Sequence, residues 1–326
     1  MGIKTIGIVT PGGDAPGMNA AIRAVVRKAL SEGLRVFGIR NGFAGLIYGE
    51  IQELDWKSVS GIMDLGGTIL HTERFENFSD PENLATASEE LKRNRIDGLI
   101  VIGGDGSLKG GYAIHHFAKI GVVGIPASID NDIFGTDETI GFDTACNTAV
   151  DAIKNIKDTA TSYERIFVVE VMGKKRGFIA LHVGLTVGAE AIIIPEAKFD
   201  SEMFAKELIK GRKKGMRRAI IVYAEGAGNR EEFVRFLRER TGFIVRESIL
   251  GYIQRGGSPT YRSRLLASLF GEKAIDVLLK YPEGANMVGI KDNSLTITSL
   301  KVVINNEKPI NLDLLRVHRD ISVFKV

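Results

Sequence analysis

The chain has 326 residues, 44% of them hydrophobic, and a net charge of +3. That length allows two domains of ordinary size, each with its own core. So small a charge, with basic residues spread along the chain, argues against a duplex nucleic-acid binder or a polybasic membrane anchor. No run of 18 apolar residues occurs, so no membrane span is expected. The sequence opens on a strand-like segment, Ile3 to Thr10, with no basic stretch, apolar core and cleavage site, so no signal peptide is expected. Cys146 is the one cysteine. It cannot close an internal disulfide, which fits a reducing cytoplasm. Glutamine occurs only at Gln52 and Gln254 while Lys, Arg and Glu are plentiful; this is the composition of a thermophile, although simple genomic bias would produce it too.

In chain order, short apolar runs alternate with helical patterns. The runs Thr5–Val9, Val36–Ile39, Gly98–Ile102, Val122–Ile125, Ile166–Val171, Ala191–Ile194 and Ala219–Tyr223 predict strands buried on both faces of a parallel sheet. In Met18–Ser31 the apolar positions Met18, Ile22, Val25, Val26 and Leu30 recur at helical spacing, and Gly33 supplies a stop. Asp80-Pro81 reads as an N-cap with proline in the first turn, opening a helix to about Arg93. Such alternation predicts an α/β fold with mostly parallel sheets. There is no repeat, low-complexity tract or Pro/Gly/Ser-rich linker, so the domain boundary is not readable from composition.

Ligands of open parallel sheets bind beyond the carboxyl ends of the strands, and three of the loops there are distinctive. The first strand ends in Thr10-Pro11-Gly12-Gly13-Asp14-Ala15-Pro16-Gly17-Met18-Asn19, where a helix begins. Glycine admits an anion close to the backbone and a helix N-terminus offers free N–H groups, but a tight turn without a ligand has the same composition. The third strand ends in Ile102-Gly103-Gly104-Asp105-Gly106-Ser107. A carboxylate among glycines suits Mg²⁺, a hard ion that keeps waters and bridges phosphate oxygens; equally, Asp105 could serve only as a helix cap. The fourth ends in Pro126-Ala127-Ser128-Ile129-Asp130-Asn131-Asp132. One carboxylate could take a hydroxyl proton while the other holds a metal-bound water, though Asp-Asn-Asp is also ordinary turn composition.

Together these loops resemble the 6-phosphofructokinase family, and the likeness runs over nearly the whole chain. It includes Glu73-Arg74-Phe75, Thr139 to Ala145, Val169-Glu170-Val171-Met172-Gly173 and the very specific Leu250-Gly251-Tyr252-Ile253-Gln254-Arg255-Gly256-Gly257-Ser258-Pro259. The length is similar to that of the short bacterial form, usually a homotetramer. The resemblance implies two Rossmann-like three-layer domains, with the chain crossing between them more than once. Residues 1–139 and 256–305 would form an ATP/Mg-binding domain, and residues 140–255 and 306–326 one for fructose 6-phosphate. It implies transfer of the γ-phosphoryl group of Mg-ATP to the sugar 1-hydroxyl, in a cytoplasmic enzyme of glycolysis. Gly13, Phe43, Arg74, Phe75, Gly104, Asp105, Gly106 and Ser107 would line the ATP site. Asp105 would serve Mg²⁺, with Asp132 helping through water. Asp130 would be the general base, and Arg74 and Lys174 would attend the transferring phosphoryl group. Ser128, Ile129, Asp130, Met172, Gly173, Glu225, Tyr252 and Arg255 would hold fructose 6-phosphate, with Arg165 and Arg246 reaching its phosphate from a neighbouring subunit.

The sequence departs from the family pattern at Pro11, at Ala127 (usually glycine), at Tyr252 (usually histidine) and at Lys174 (usually arginine). Lysine keeps the charge but loses the bidentate fork. An effector site for ADP or phosphoenolpyruvate is implied by Arg23, Arg27, Lys157, Glu190, Lys214, Arg217 and Arg218. Trp56 and Met216 stand where the family usually has cations, so weak regulation is expected. The pyrophosphate-dependent branch usually has aspartate at Gly106 and lysine at Ala127, so the residues here favour ATP. Lipid and NAD kinases share a GGDG loop but lack Asp-Asn-Asp and the segment 250–259. A non-catalytic nucleotide sensor would be expected to have lost Asp130, Asp105 or Arg74.

Overall fold

A computed structural model describes residues 2–324. The chain divides into two compact units: the residues up to Thr144 with Arg255–Lys308, and Ala145–Gln254 with the segment from Pro309 onward.

The first unit contains β1 (Thr5–Val9), α1 (Met18–Ser31), β2 (Arg35–Ile39), α2 (Gly42–Tyr48), β3 (Ile51–Glu53), α3 (Pro81–Arg93), β4 (Gly98–Gly103), α4 (Asp105–Ala118), β5 (Gly121–Ser128), β6 (Ile140–Gly141) and the start of α5 (Phe142–Tyr163). The second holds β7 (Ile166–Val171), α6 (Phe178–Thr186), β8 (Ala191–Ile193), α7 (Ser201–Lys213), β9 (Ala219–Ala224), α8 (Arg230–Thr241) and β10 (Val245–Ile249). The chain then returns to the first unit with α9 (Tyr261–Lys280), β11 (Ala285–Lys291), β12 (Ser294–Ser299) and α10 (Leu300–Ile304), and α11 (Asp313–Ile321) lies in the second.

The sheet of the first unit runs β12-β11-β5-β4-β1-β2-β3, with β6 paired to β5. Its central pairings are parallel, and only the outer strands β3 and β12 turn antiparallel. Every residue of β1 and β4 is buried, as their unbroken apolar runs require of strands covered on both faces. Side chains alternate between those faces. Val9, Ile39, Leu99 and Val101 face one core with Leu91 of α3 and Leu108 of α4. On the other face α9 brings Leu278 against Gly98 and packs along α1. The second sheet, β10-β7-β9-β8, is parallel throughout. Val168, Ile221, Tyr223, Phe204 and Leu237 form its core. Burying each such side chain contributes about 1.5–3 kcal/mol, which holds the loops at the strand ends in place.

Several elements differ from the sequence reading. β5 runs on through Pro126 to Ser128, although proline removes a donor. The Val122 N–H points toward β11, bonding Gly284 O at 2.9 Å. By the period of two, Pro126 faces the same way, and it lies past Gly124, the last residue paired with β11, so no ladder bond is lost. Asp80 does sit at the N-cap of α3, but its side chain makes no cap bond; its carbonyl accepts from Leu84 N at 3.0 Å. β10 was not expected, because the residues Arg246, Glu247 and Ser248 of an edge strand are polar.

Candidate active site

Because β1, β4 and β5 are neighbours in parallel register, their three following loops emerge side by side at one edge of the first sheet. Ser107, buried near the start of α4, donates from Oγ to Pro11 O at 2.7 Å and ties the first loop to the second. A Cβ on Gly103 would lie 2.5 Å from Ser107 Oγ and 2.9 Å from Pro11 O, so only glycine allows this approach. Thr72 Oγ1 donates to Gly12 O at 2.6 Å, which seats the segment carrying Arg74 and Phe75 against the first loop. Asn19, buried in α1, donates to Leu65 O and Gly66 O and accepts from Ile69 N at 2.7 Å. Ser107 and Asn19 close two of the loop motifs, whereas Thr72 lies outside them; all three shape the site.

The individual side chains fall as follows. Gly104 is the N-cap of α4, so the N–H groups of the first helical turn point out of the loop. Asp105 opens that helix and pairs with Lys109 at 2.7 Å; it does not cap it. Apart from its chain neighbours and the backbone of its own helix, nothing lies within 4 Å of where a Gly106 Cβ would stand. Arg74 is exposed. Phe43 is 5% exposed and stacks on Phe78 at 3.9 Å between ring centroids, so it is a buried wall and not an open platform. Arg255 reaches back to the first loop, 4.0 Å from Asp14, and lies against Gly13.

The third loop is closed on itself. The Asp130 amide donates to Ser128 Oγ at 3.2 Å. Thr139 Oγ1 donates to Ser128 O at 2.6 Å. Asn131 is buried with φ 53°, a left-handed conformation that asparagine tolerates. Its Oδ1 accepts from Thr139 N at 3.1 Å and its Nδ2 donates to Asp137 O at 3.2 Å. Lys308 Nζ also reaches Asn131 Oδ1, at 2.9 Å. Burial pushes the Lys308 ammonium down to about 8, against the pull of Asp137, Asp132 and Glu138.

In the second unit, β7 and β9 are parallel neighbours, and their end loops are joined by one carboxylate. Glu225 Oε1 accepts from Gly173 N at 3.1 Å and also from Lys174 N. Gly173 has φ 145°, and a Cβ there would stand 2.5 Å from Arg176 O. Gln254, fully buried, accepts from Met172 N at 2.9 Å. Its Nε2 has no hydrogen-bond partner among the described residues. Tyr252 is 78% exposed. Arg165 precedes β7 and stacks on Tyr163 at 4.3 Å; Arg246 is in register with Phe167. Both arginines therefore stand at the start of β7, whereas Met172 and Gly173 follow its end, about 20 Å away along a strand of this length.

The residues matched to an effector site lie in both units. Arg23 and Arg27 share a face of α1. Burial first, and Arg27 second, lower the pKa of Arg23. Arg27 lies over the Trp56 ring at 5.8 Å, so the tryptophan stands against one of the expected phosphate binders. In the second unit, Lys157 donates to Val187 O. Glu190 accepts from Ile220 N at 2.6 Å, and burial raises its pKa despite Lys157 and Arg218 nearby. Lys214, Arg217 and Arg218 are exposed in the turn after α7, Arg217 lying 3.8 Å from Glu164. Met216 packs against the core of the second unit.

Among the described residues no cluster of three or more His, Cys, Asp or Glu side chains is placed to hold a metal ion, and no helix is long and apolar enough to cross a membrane. Residues 5–278 match the model of the Phosphofructokinase family. The chain is 49% identical to the ATP-dependent 6-phosphofructokinase of Halalkalibacterium halodurans over 98% of its own length and all of that relative's. It is 46% identical to the protein of the same name from Bacillus thuringiensis, with the same coverage of both. The solved phosphofructokinase of Saccharomyces cerevisiae superposes with a TM-score of 0.88 at 34% identity over 93% of this chain, which spans 45% of that yeast chain. On this agreement of sequence, fold and strand-end loops, the chain belongs to the phosphofructokinase family.

Proposed function

We propose that the protein transfers the γ-phosphoryl group of ATP to the 1-hydroxyl of fructose 6-phosphate, giving fructose 1,6-bisphosphate and ADP. The observation that carries this reading is the meeting of three loops on neighbouring strands of the first sheet: glycine backbone, a helix N-terminus and a carboxylate pair at one edge. The names of the relatives reported above support the donor.

Phosphoryl transfer through a loose transition state needs positioning and charge stabilisation more than covalent chemistry. Asp130 accepts the proton of the 1-hydroxyl as that oxygen bonds to the γ-phosphorus and the bond to the ADP oxygen breaks. Arg74 offers a planar fork to the phosphate oxygens, and Lys174 a point charge. Gly13, the α4 N-terminus and Ser107 hold the nucleotide, with Phe43 as the wall behind it and Phe75 beside it. Asp105 and Asp132 are hard oxygen donors and fit Mg²⁺, which is bound by one or two carboxylates with substrate phosphates supplying the rest. When bound, that ion neutralises phosphate charge. Met172, Gly173, Glu225, Tyr252 and Arg255, with Ser128 and Ile129, recognise the sugar phosphate.

The separation of Arg165 and Arg246 from Met172 along β7 supports a further reading: both arginines serve the site of another copy, in a cytoplasmic homotetramer. Arg23, Arg27, Lys157, Glu190, Lys214, Arg217 and Arg218 serve a phosphoenolpyruvate or ADP site between subunits, weakened by Trp56. A coupled assay with fructose 6-phosphate and either ATP or pyrophosphate tests the activity. Turnover with ATP is expected; turnover with pyrophosphate alone would assign the protein to the other branch, and none with either would leave a nucleotide sensor.

A further inference from the structure

A half-buried cation adjoins the reacting loop although the chemistry above has no role for it. Lys308 is the last residue of the first unit before the chain leaves for the second. Its Nζ donates to Asn131 Oδ1 at 2.9 Å and to Asp137 O at 2.8 Å. Removing an ammonium from water is costly and is offset only by well-placed partners, and these two partners differ in kind.

Asp137 is fixed to the sheet. Its N–H donates to Ile290 O at 2.7 Å, and its Oδ2 accepts from Asp292 N at 2.8 Å. The adjacent Thr136 Oγ1 accepts from Ile290 N at 3.1 Å. Asn131, by contrast, belongs to the turn and stands between Asp130 and Asp132 in the left-handed region. Its own bonds are neutral: Oδ1 accepts from Thr139 N at 3.1 Å and, more distantly, from Thr139 Oγ1 at 3.3 Å, and Nδ2 donates to Asp137 O at 3.2 Å. Lys308 adds charge-assisted bonds to both sides, which are about twice as strong as neutral ones.

We propose that Lys308 is a positioning residue for the phosphoryl-transfer loop, bridging Asn131 to the sheet-anchored Asp137 carbonyl and so fixing the turn that carries Asp130 and Asp132. The catalytic part of this inference rests on the functional reading of those two aspartates; the bridge does not. A displacement of the order of 1 Å at a reacting group can cost about 10²-fold in rate, so a loosened turn would be felt in turnover before it was felt in binding.

The test compares the full-length native chain with Lys308→Met and Lys308→Arg by two measurements. In hydrogen exchange, the amides of residues 130–139, Thr139 above all, should exchange at least about tenfold faster in Lys308→Met and recover in Lys308→Arg, with the second unit unchanged. In steady-state assays, Lys308→Met should lose about 10²-fold in kcat with both KM values within about threefold, and Lys308→Arg should regain most of it. Unchanged exchange in folded Lys308→Met overturns the proposal whatever its activity. Faster exchange with native kcat overturns the catalytic role. If Lys308→Met does not fold, Lys308→Gln, which removes the charge but keeps a polar head and leaves the bonds of Asn131 to Thr139 and Asp137 in place, is judged by the same two measurements. A native protein without phosphoryl transfer would sink the functional reading alone, while exchange would still decide the bridge.

Discussion

The strand-end loops of the two units are shaped by opposite means. In the first unit, backbone meets backbone through missing side chains: Gly103 lets Ser107 and Pro11 close up, and Gly106 leaves open space where a side chain would stand. In the second, backbone is held by added polar groups: Glu225 gathers the N–H groups of Gly173 and Lys174, and Gln254 takes that of Met172. A nucleotide phosphate needs close approach to N–H groups, which glycine provides. A sugar offers hydroxyls at fixed positions, which oriented polar side chains recognise. The first unit should therefore fail when a side chain is added where its loops close up, as at Gly103, or a negative charge where they stay open, as at Gly106. The second should fail when polar side chains are neutralised.

The carboxylate chemistry lies outside that contrast and sets the largest effect. Asp130→Asn should reduce kcat by about 10²–10⁴-fold, the usual contribution of a positioned base, with little change in fructose 6-phosphate KM. Near-native turnover in a coupled assay would show that Asp130 is not the base.

Adding a side chain to the first unit comes next. The space beside Gly106 accepts an aspartate sterically, so its effect on the donor should be electrostatic. At about 4 Å and an effective dielectric near 20, like charges repel by roughly 4 kcal/mol before relaxation. Gly106→Asp should lower kcat/KM for ATP by up to about 10³-fold while Gly106→Ala changes it little. Equal losses in the two variants would mean that space, not charge, matters there.

Neutralising Glu225 should act on the other substrate. Hydrogen bonds to a charged group exceed neutral ones by about 1–1.5 kcal/mol, so Glu225→Gln should raise fructose 6-phosphate KM roughly tenfold and leave ATP KM within about twofold. A rise in ATP KM instead would break the comparison between the units.

Regulation is expected to be weaker still. Allosteric coupling is commonly about 1–3 kcal/mol, and here Trp56 stacks on Arg27. Phosphoenolpyruvate should shift half-saturation by fructose 6-phosphate only severalfold, and Trp56→Arg should enlarge the shift. The lysine usual at Met216 is a different matter: Met216 packs on the core of the second unit, so Met216→Lys would lose apolar packing as it gained charge. A native shift of a hundredfold would refute the idea that Trp56 impairs the site.

The smallest effect follows from pH. His318 is buried and its Nε2 lies 2.7 Å from Ala189 O; burial lowers its pKa below the ordinary 6.5. The unfolded chain thus binds a proton that the folded one refuses, so stability rises with pH in this window. The His318 contribution is complete above about 6.5 and is lost as pH falls below it toward the folded value. Urea midpoints between pH 7.5 and 5 should fall less steeply in His318→Gln than in the native protein; parallel slopes would remove His318 as the cause.

Most of the fold was readable in the sequence, because a strand buried on both faces must be apolar throughout and a helix on a sheet must be apolar every three or four residues. Those periods placed β1, β4, β7 and β9 and the helix α1, Asp80-Pro81 marked the start of α3, and glycine at strand ends marked the loops of the candidate site. The motifs also carried the family, and they singled out Asp105 and Asp130 as candidates, while Glu225 came only with the resemblance. What the sequence could not supply were contacts between residues far apart in the chain that carry no periodic or motif signal. Lys308 meets Asn131 across 177 positions, and Gln254 meets Met172 across 82. An edge strand such as β10, polar at its centre, was hidden for a related reason: its conformation comes from pairing with β7, not from its own pattern. Local physics fixes which segments are strands, helices and turns. Only the packed chain decides which buried donor finds which acceptor, because that choice depends on positions brought together by the whole fold.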